Sequence, residues 1–361
     1  MTPRLGSTIT LTATAALAAG ILVAGPPAVA ASPWATAAPA AQLRAAHAGT
    51  GTHGIIVWTQ RRPSGPERLM VAHADGSHVR ALTTAEPDSA DIDAQVSPDG
   101  RWVAYEADLP EGASVHLVHP NGRGDHILDV GCVDPCIVVA APTWMSNHRL
   151  AFALIKGPFD EETGAAASAA LWSARIDGSR IRRISEPSTD GRFEDSYLHV
   201  SPDRSYQTFR RLNIATEDAA IFRRDLPGGH LTQLTPWGLR AEVEDLSTAR
   251  DGRTEDLLVF ESYGRGDPDA TFADIATVPA TCRSLTRCTD RIHWLTNNAA
   301  TGRRNANPQW SPSGRALVFT NRASIEVENV EIWTMRYGSS RRHRVTRSPL
   351  FDYRPTWGVR R

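Results

Sequence analysis

Lysine is almost missing: Lys156 is the single one among 39 basic residues, the rest being arginine. With abundant alanine, that bias hints at a GC-rich coding sequence such as an actinobacterial one. Net charge is close to absent too, at −1, so no global field recruits nucleic acid or a membrane surface. Helix-period apolar stripes do not occur beyond the N-terminus, which argues against helical and α/β architectures. No G-x-S-x-G elbow, phosphate loop, H-E-x-x-H or paired zinc motif appears. Serine, histidine and aspartate are plentiful, yet no spacing among them assembles a catalytic triad. Cysteine is limited to four residues, with no C-x-x-C pair of the redox type.

What is present is a repeat. Its clearest copy runs N-P-Q-W-S-P-S-G-R-A-L-V-F from Asn307 to Phe319. Related openings are V-S-P-D-G-R-W-V-A-Y (Val96 to Tyr105), W-M-S-N-H-R-L-A-F (Trp144 to Phe152) and V-S-P-D-R-S-Y-Q-T-F (Val200 to Phe209). A looser copy, A-R-D-G, begins at Ala249, and a truncated one, P-T-W-G, begins at Pro355. The anchors Ser97, Met145, Ser201, Ala249, Ser311 and Gly358 recur every 47 to 62 residues. A second ruler agrees: Leu82-Thr83, Ile184-Ser185, Leu234-Thr235, Leu295-Thr296 and Val345-Thr346, with Leu128-Asp129 standing in for the remaining member. Between the rulers lie short alternating runs and tight turns at Asp75-Gly76, Asn121-Gly122 and Asp177-Gly178, the residue types that accept positive φ in hairpins. Four strands in a unit of this length are the pattern of a propeller blade. The first unit lacks its opening phrase, and the C-terminal segment Phe351–Gly358 supplies it. The expectation is an all-β, six-bladed β-propeller, its ring closed by the C-terminal strand joining the N-terminal blade. Closure of this kind removes two sheet edges.

The phrase P-x-W-S-P-D-G-x-x-I-A-F, followed by D-G and L-T, resembles the WD-like repeat of the TolB propeller family. The resemblance covers residues 53–361 and is strongest in units two, four and six. It implies the fold far better than the function, because the repeat is shared by periplasmic interaction modules, propellers that gate peptidases and some polysaccharide lyases.

Residues 1–30 read as a secretory signal: Arg4, an apolar run from Leu11 to Ala24, and the small-x-small site Ala28-Val29-Ala30. Leu5–Gly25 could also just span a bilayer, which needs roughly 20 residues, but the cleavage pattern favours removal. Residues 31–52 read as an Ala/Pro-rich linker, and the mature chain is expected to be secreted or envelope-associated without stable membrane insertion. In that setting Cys132 with Cys136, and Cys282 with Cys288, are expected to form two local disulfides.

Candidate ligand-binding residues precede each repeat phrase, where the innermost strands begin at the channel mouth: Asp93, Glu194, Asp195, His199, Glu244, Asp245, Asn307 and Asp352. Such an acidic ring could hold a divalent cation, the one cofactor the pattern leaves room for, or receive a basic segment of a partner. The bland alternative is that these side chains cap turns or bond neighbouring loops. His199, followed by Asp203, resembles a metal-binding arrangement in some lyases built on this repeat. Two acidic insertions, Pro158–Gly164 and Gly264–Asp274, lie between second and third strands, on the face of the mouth. The basic stretch Arg341–Arg347 falls on the last outer strand, where charge blunts edge pairing. The favoured function is a non-catalytic exported module engaging a protein or cell-envelope polymer on its loop-rich face, with no role for nucleic acid. The alternative is a metal-assisted polysaccharide lyase or hydrolase at the channel mouth.

Overall fold

Each repeat phrase is a turn with its own wiring. The hydroxyl of Ser97 accepts the backbone N–H groups of Arg101 and Trp102 and donates to Asp99, closing the S-P-D-G turn. Ser201 does the same with Tyr206 N and Asp203, and Ser311 with Ala316 N. In unit five that place is held by Ser247, whose N–H bonds to Leu257 O, and not by Ala249. The inserted residues lengthen the turn itself, so the local phrase A-R-D-G misplaces the anchor by two positions.

A computed structural model describes residues 54–361, apart from 111, 134–135, 160–165, 187–191, 251, 266–272, 299–301 and 324–328. The N-terminal signal and linker readings, and most of both acidic insertions, fall outside the described residues. The described residues lie in one compact unit, built almost wholly from antiparallel strands. Six four-stranded blades are described. Their innermost strands are Phe351–Gly358, Ala90–Val96, Cys136–Ser146, Phe193–Val200, Ala241–Leu246 and Arg304–Trp310, for blades 1 to 6 in that order. Blade 1 is the composite expected from the sequence. Its inner strand Phe351–Gly358 pairs antiparallel with Ile55–Arg61, placing Trp357 opposite Ile56 and Asp352 opposite Gln60. Each inner strand packs against the inner strand of the next blade, and the sixth returns to the first.

The apolar-hydroxyl pairs explain how each blade ends. The outermost strands are only two or three residues long, among them Arg80–Ala81, His126–Ile127, Arg182–Arg183 and Arg342–Arg344. Beyond them the hydroxyl continues the ladder: Thr83 Oγ1 accepts Leu69 N at 3.0 Å, Ser185 Oγ accepts Leu171 N, and Thr346 Oγ1 accepts Ile332 N. Short, arginine- and histidine-bearing edges then face solvent, a known defence against edge-to-edge pairing.

The core lies between blades. Every second strand buries an aromatic there: Trp58, Tyr105, Phe152, Phe209, Phe260 and Phe319, none more than 2% exposed. Both expected disulfides are formed, Cys132–Cys136 in the connection into blade 3 and Cys282–Cys288 around a short helix, Leu285–Thr289. No helix among the described residues is long and apolar enough to cross a membrane.

Candidate functional site: the channel-lining strands

The inner strands share a device that the sequence conceals. Each carries a β-bulge four residues before its anchor, at a non-glycine residue with positive φ: Asp93 (50°), Ala141 (49°), Tyr197 (53°), Val243 (40°), Asn307 (51°) and Arg354 (49°). Such dihedrals are costly for residues with a Cβ, most of all for a β-branched one. A bulge bends the strand and re-aims a side chain. Proline follows the bulge residue in three blades, at Pro142, Pro308 and Pro355, because the extra residue makes no ladder bond that would need its N–H. The P-T-W and P-Q-W of the repeat phrase are therefore bulge signatures.

Re-aimed in this way, side chains from different blades meet. Asp93 of blade 2 pairs with Arg354 of blade 1 at 3.0 Å and accepts the Tyr197 hydroxyl of blade 4 at 3.0 Å. In three blades the bulge N–H is taken by a side chain of the preceding blade's second strand. Glu106 Oε2 accepts Ala141 N at 2.9 Å, Glu261 accepts Asn307 N, and Thr320 Oγ1 accepts Arg354 N at 3.2 Å. These acceptors were missed at the sequence level, although a signal exists. Each directly follows its blade's buried aromatic: Glu106 after Tyr105, Glu261 after Phe260 and Thr320 after Phe319.

The eight sequence candidates do not form one ring but occupy several levels. Asp93 and Asn307 are bulge residues. Asp195 and Asp352, with the equivalent Asp91, lie two residues earlier and are buried. Asp352 Oδ1 accepts Trp58 Nε1 at 2.9 Å and Gln60 Nε2 at 3.0 Å. Asp195 takes a two-pronged bond from Arg211, at 2.7 and 3.0 Å, and that guanidinium stacks over Phe209 and Phe222. Glu194 is half-buried, and burial raises its pKa against the pull of Arg210.

His199 and Asp245 lie two residues before their anchors. His199 Nε2 donates to Glu244 O of the next blade at 2.9 Å, as Thr143 Oγ1 donates to Leu198 O of its next blade. Asp245 Oδ2 accepts Trp310 N, again one blade on, at 2.6 Å. Both residues therefore act as struts between blades. His199 Nδ1 and Asp245 Oδ1 approach to 3.5 Å. Burial favours the neutral form of each, pushing the imidazole down to about 4 and the carboxyl up to about 7. No three metal-ligating side chains come together among the described residues.

Glu244 fills the position that Leu198 fills in blade 4 and is fully buried, with Arg210 as its nearest opposing charge. Desolvation holds it well above the usual carboxylate range. Burial likewise pushes Glu106 up to about 8 and Glu261 up to about 7. The channel is thus lined by carboxyls and guanidiniums, many committed to one another across blade boundaries. Asp274, at the end of the second acidic insertion, is buried and accepts Thr296 Oγ1 and Asn298 N, both at 2.6 Å.

The fold is that of a TolB-like β-propeller. Similar solved structures are TolB from Acinetobacter baumannii, with a TM-score of 0.60 and 16% identity over 84% of this chain and 66% of that one. A putative TolB from Agrobacterium tumefaciens gives a TM-score of 0.53 and 17% identity over 86% of this chain and 99% of that one. A chain of a Nidogen/Laminin complex gives 0.56 and 10% identity over 85% and 99%. This chain therefore spans just under two thirds of the Acinetobacter TolB chain. No protein-family model matches the sequence, and no curated protein does either.

Proposed function

We propose that this chain is an exported propeller that binds a protein partner on the loop-rich face, where the inner strands begin. The observation that carries the reading is a set of half-buried aromatic–arginine groups at that rim. Arg61 lies over Phe351 at 4.2 Å, and Phe351 packs edge-on against Tyr353. Across the face, Trp237 stacks on Phe193 at 6.0 Å and leans on Phe222, with Arg211 beneath. Aromatic residues and arginine are the types enriched at protein interfaces and their energetic centres. They sit on a rigid ring, where long loops are suited to recognition. The protein complex in which one structural neighbour occurs fits this reading. Export is supported by the two disulfides, which persist in oxidising compartments, and by the signal-like N-terminus.

The test is affinity capture from an envelope and culture-fluid extract with the full chain and with Trp237→Ala and Phe351→Ala. The expected result is a co-purifying protein held by the parent chain and lost with either rim variant. Capture indifferent to both substitutions would overturn the proposal.

A further inference from the structure

Blade 3 gathers arginines on one face. Its second and third strands, Arg149–Phe159 and Ala166–Arg175, set Arg149 directly opposite Arg175. Its outer strand, Arg182–Arg183, sets Arg182 opposite Ser173. Residues paired across a ladder, and residues two apart along a strand, share a face, so Arg149, Ser173, Arg175 and Arg182 lie together. Ala151 and Leu171 continue that face and pack with Leu198 and Phe209 of blade 4. The arginines therefore flank the seam between blades 3 and 4, at the end of the blades away from the aromatic rim.

Like charges directly opposite each other across a ladder are destabilising. Arg149 is half-buried, and its Nη1 donates to two uncharged oxygens, Ser173 Oγ at 3.0 Å and Arg180 O at 3.2 Å. Burial, and then the charges of Arg182, Arg175 and Arg180, lower its pKa. Arg175, Arg180 and Arg182 are exposed, and among the described residues none of the four forms an ion pair with a carboxylate. The turn's own carboxylate, Asp177, accepts the Ser179 N–H at 3.0 Å and its hydroxyl at 2.6 Å, and answers only the charge of Arg175 among them. The seam is also left open. A Cβ on the turn glycines Gly76, Gly122 and Gly178 would stand 2.8, 3.0 and 2.1 Å from a carbonyl of the preceding blade. On Gly228 or Gly229, in the corresponding turn of blade 4, it would meet no described atom within 4 Å.

An anionic partner would relieve this repulsion. One small anion gains little, since a single exposed ion pair shifts an equilibrium by no more than about fivefold. Several carboxylates on one chain engage several arginine forks together. Apolar surface decides the kind of chain. Leu231 stands opposite Arg224, two residues from the Phe222 that packs on blade 3, and is 42% exposed. Ile181, between Arg180 and Arg182, is 40% exposed. A hydrated polysaccharide or a polyphosphate covers neither, whereas apolar side chains of a peptide do. We propose that the seam between blades 3 and 4 docks an acidic peptide segment, with interspersed apolar side chains, of a protein partner. The site is separate from the rim on the other face.

The test is fluorescence anisotropy of a short labelled peptide alternating Glu and Leu, titrated with the full chain at low and fixed ionic strength. A Glu/Ser peptide of the same charge, polyphosphate and alginate are run beside it. The Glu/Leu peptide is expected to bind, and to weaken as added salt screens the arginines. Arg175→Ala and Arg182→Ala are each expected to weaken it about threefold, and the double variant about tenfold, the scale of exposed ion pairs lost one by one. Leu231→Ser is expected to bring the Glu/Leu peptide to the level of the Glu/Ser peptide and to leave the latter unchanged. Urea midpoints equal to the parent's, or raised by relief of the Arg149–Arg175 repulsion, show that the arginine variants are folded. Trp237→Ala and Phe351→Ala are expected to leave peptide binding unaltered, which separates this site from the rim. Absence of peptide binding at concentrations on the order of 1 mM, or affinity unaltered in the double variant, would overturn the proposal. So would polyphosphate or alginate bound tighter per charge than the Glu/Leu peptide.

Discussion

Replacing Asp352 by alanine tests the ring closure at one atom. Asp352 is fully buried on the C-terminal strand, and its Oδ1 accepts both Trp58 Nε1 and Gln60 Nε2 from the strand it closes against. Alanine removes that acceptor and leaves two buried N–H donors unpaired, each at a cost of about 1–3 kcal/mol. The expected loss is therefore about 2–6 kcal/mol, a large fraction of the stability of an ordinary domain. Asparagine keeps an oxygen for the two donors and removes only a charge that burial already disfavours, since this carboxyl's pKa is raised. Its expected loss is about 1 kcal/mol or less. Urea unfolding followed by tryptophan fluorescence reads both, and a fall in midpoint at constant slope marks a change in stability alone. Alanine within about 1 kcal/mol of the parent would refute the reasoning. So would asparagine as damaging as alanine, because charge and not the acceptor would then be the active property.

Stability is expected to fall from about pH 5 to pH 8, by on the order of a few kcal/mol. Burial raises Glu106 to about 8, and Glu261 and Asp245 to about 7. Their contribution is complete below the ordinary carboxyl range and is lost as pH climbs through the folded values. His199, pushed down to about 4, acts oppositely: its contribution is present above the usual imidazole pKa and is lost as pH falls from there through the folded value. Urea midpoints that rise between pH 5 and pH 8 would contradict the burial of these carboxyls. Glu244→Leu, which installs the side-chain type found at Leu198, is expected to be neutral or stabilising by about 1 kcal/mol at pH 8, because the carboxylate oxygens have no hydrogen-bond partner. A loss above that size in urea would show that the Arg210–Glu244 attraction outweighs desolvation. Reducing the disulfides is expected to cost about 2 kcal/mol each, since both close short loops. Thermal melts with and without reductant check this, and collapse of the fold would be the contrary result.

Much of the fold was legible because turn chemistry is local. The S-P-D-G serine bonds residues four or five positions on, the D-G turns need positive φ, and the Leu-Thr hydroxyl completes a ladder within its own blade. The missing phrase of unit one and its surplus copy at the C-terminus declared the closure before any coordinate. Where a loop grows inside a turn, the local phrase and the anchor part company, and Ser247, not Ala249, holds the anchor position. The candidate site was legible only as a composition. Asp195 and Asp352 precede their phrases as expected, but Asp195 is engaged by Arg211, and Oδ1 of Asp352 by Trp58 and Gln60. His199, singled out for its spacing to Asp203, occupies the strut position of Thr143.

The period, the strand count of each unit, the turn residues and the disulfide partners were thus determined by the sequence alone, through contacts among near neighbours. Which side chains face one another across the channel was decided only by the tertiary structure. Six strained bulges re-aim the inner strands, and closure brings together residues as distant as Trp58 and Asp352, 294 positions apart. Burial then sets the charge states of Glu106, Glu244 and Glu261. Neither bulge geometry nor desolvation is a property of a segment. Both arise when blades pack into a ring.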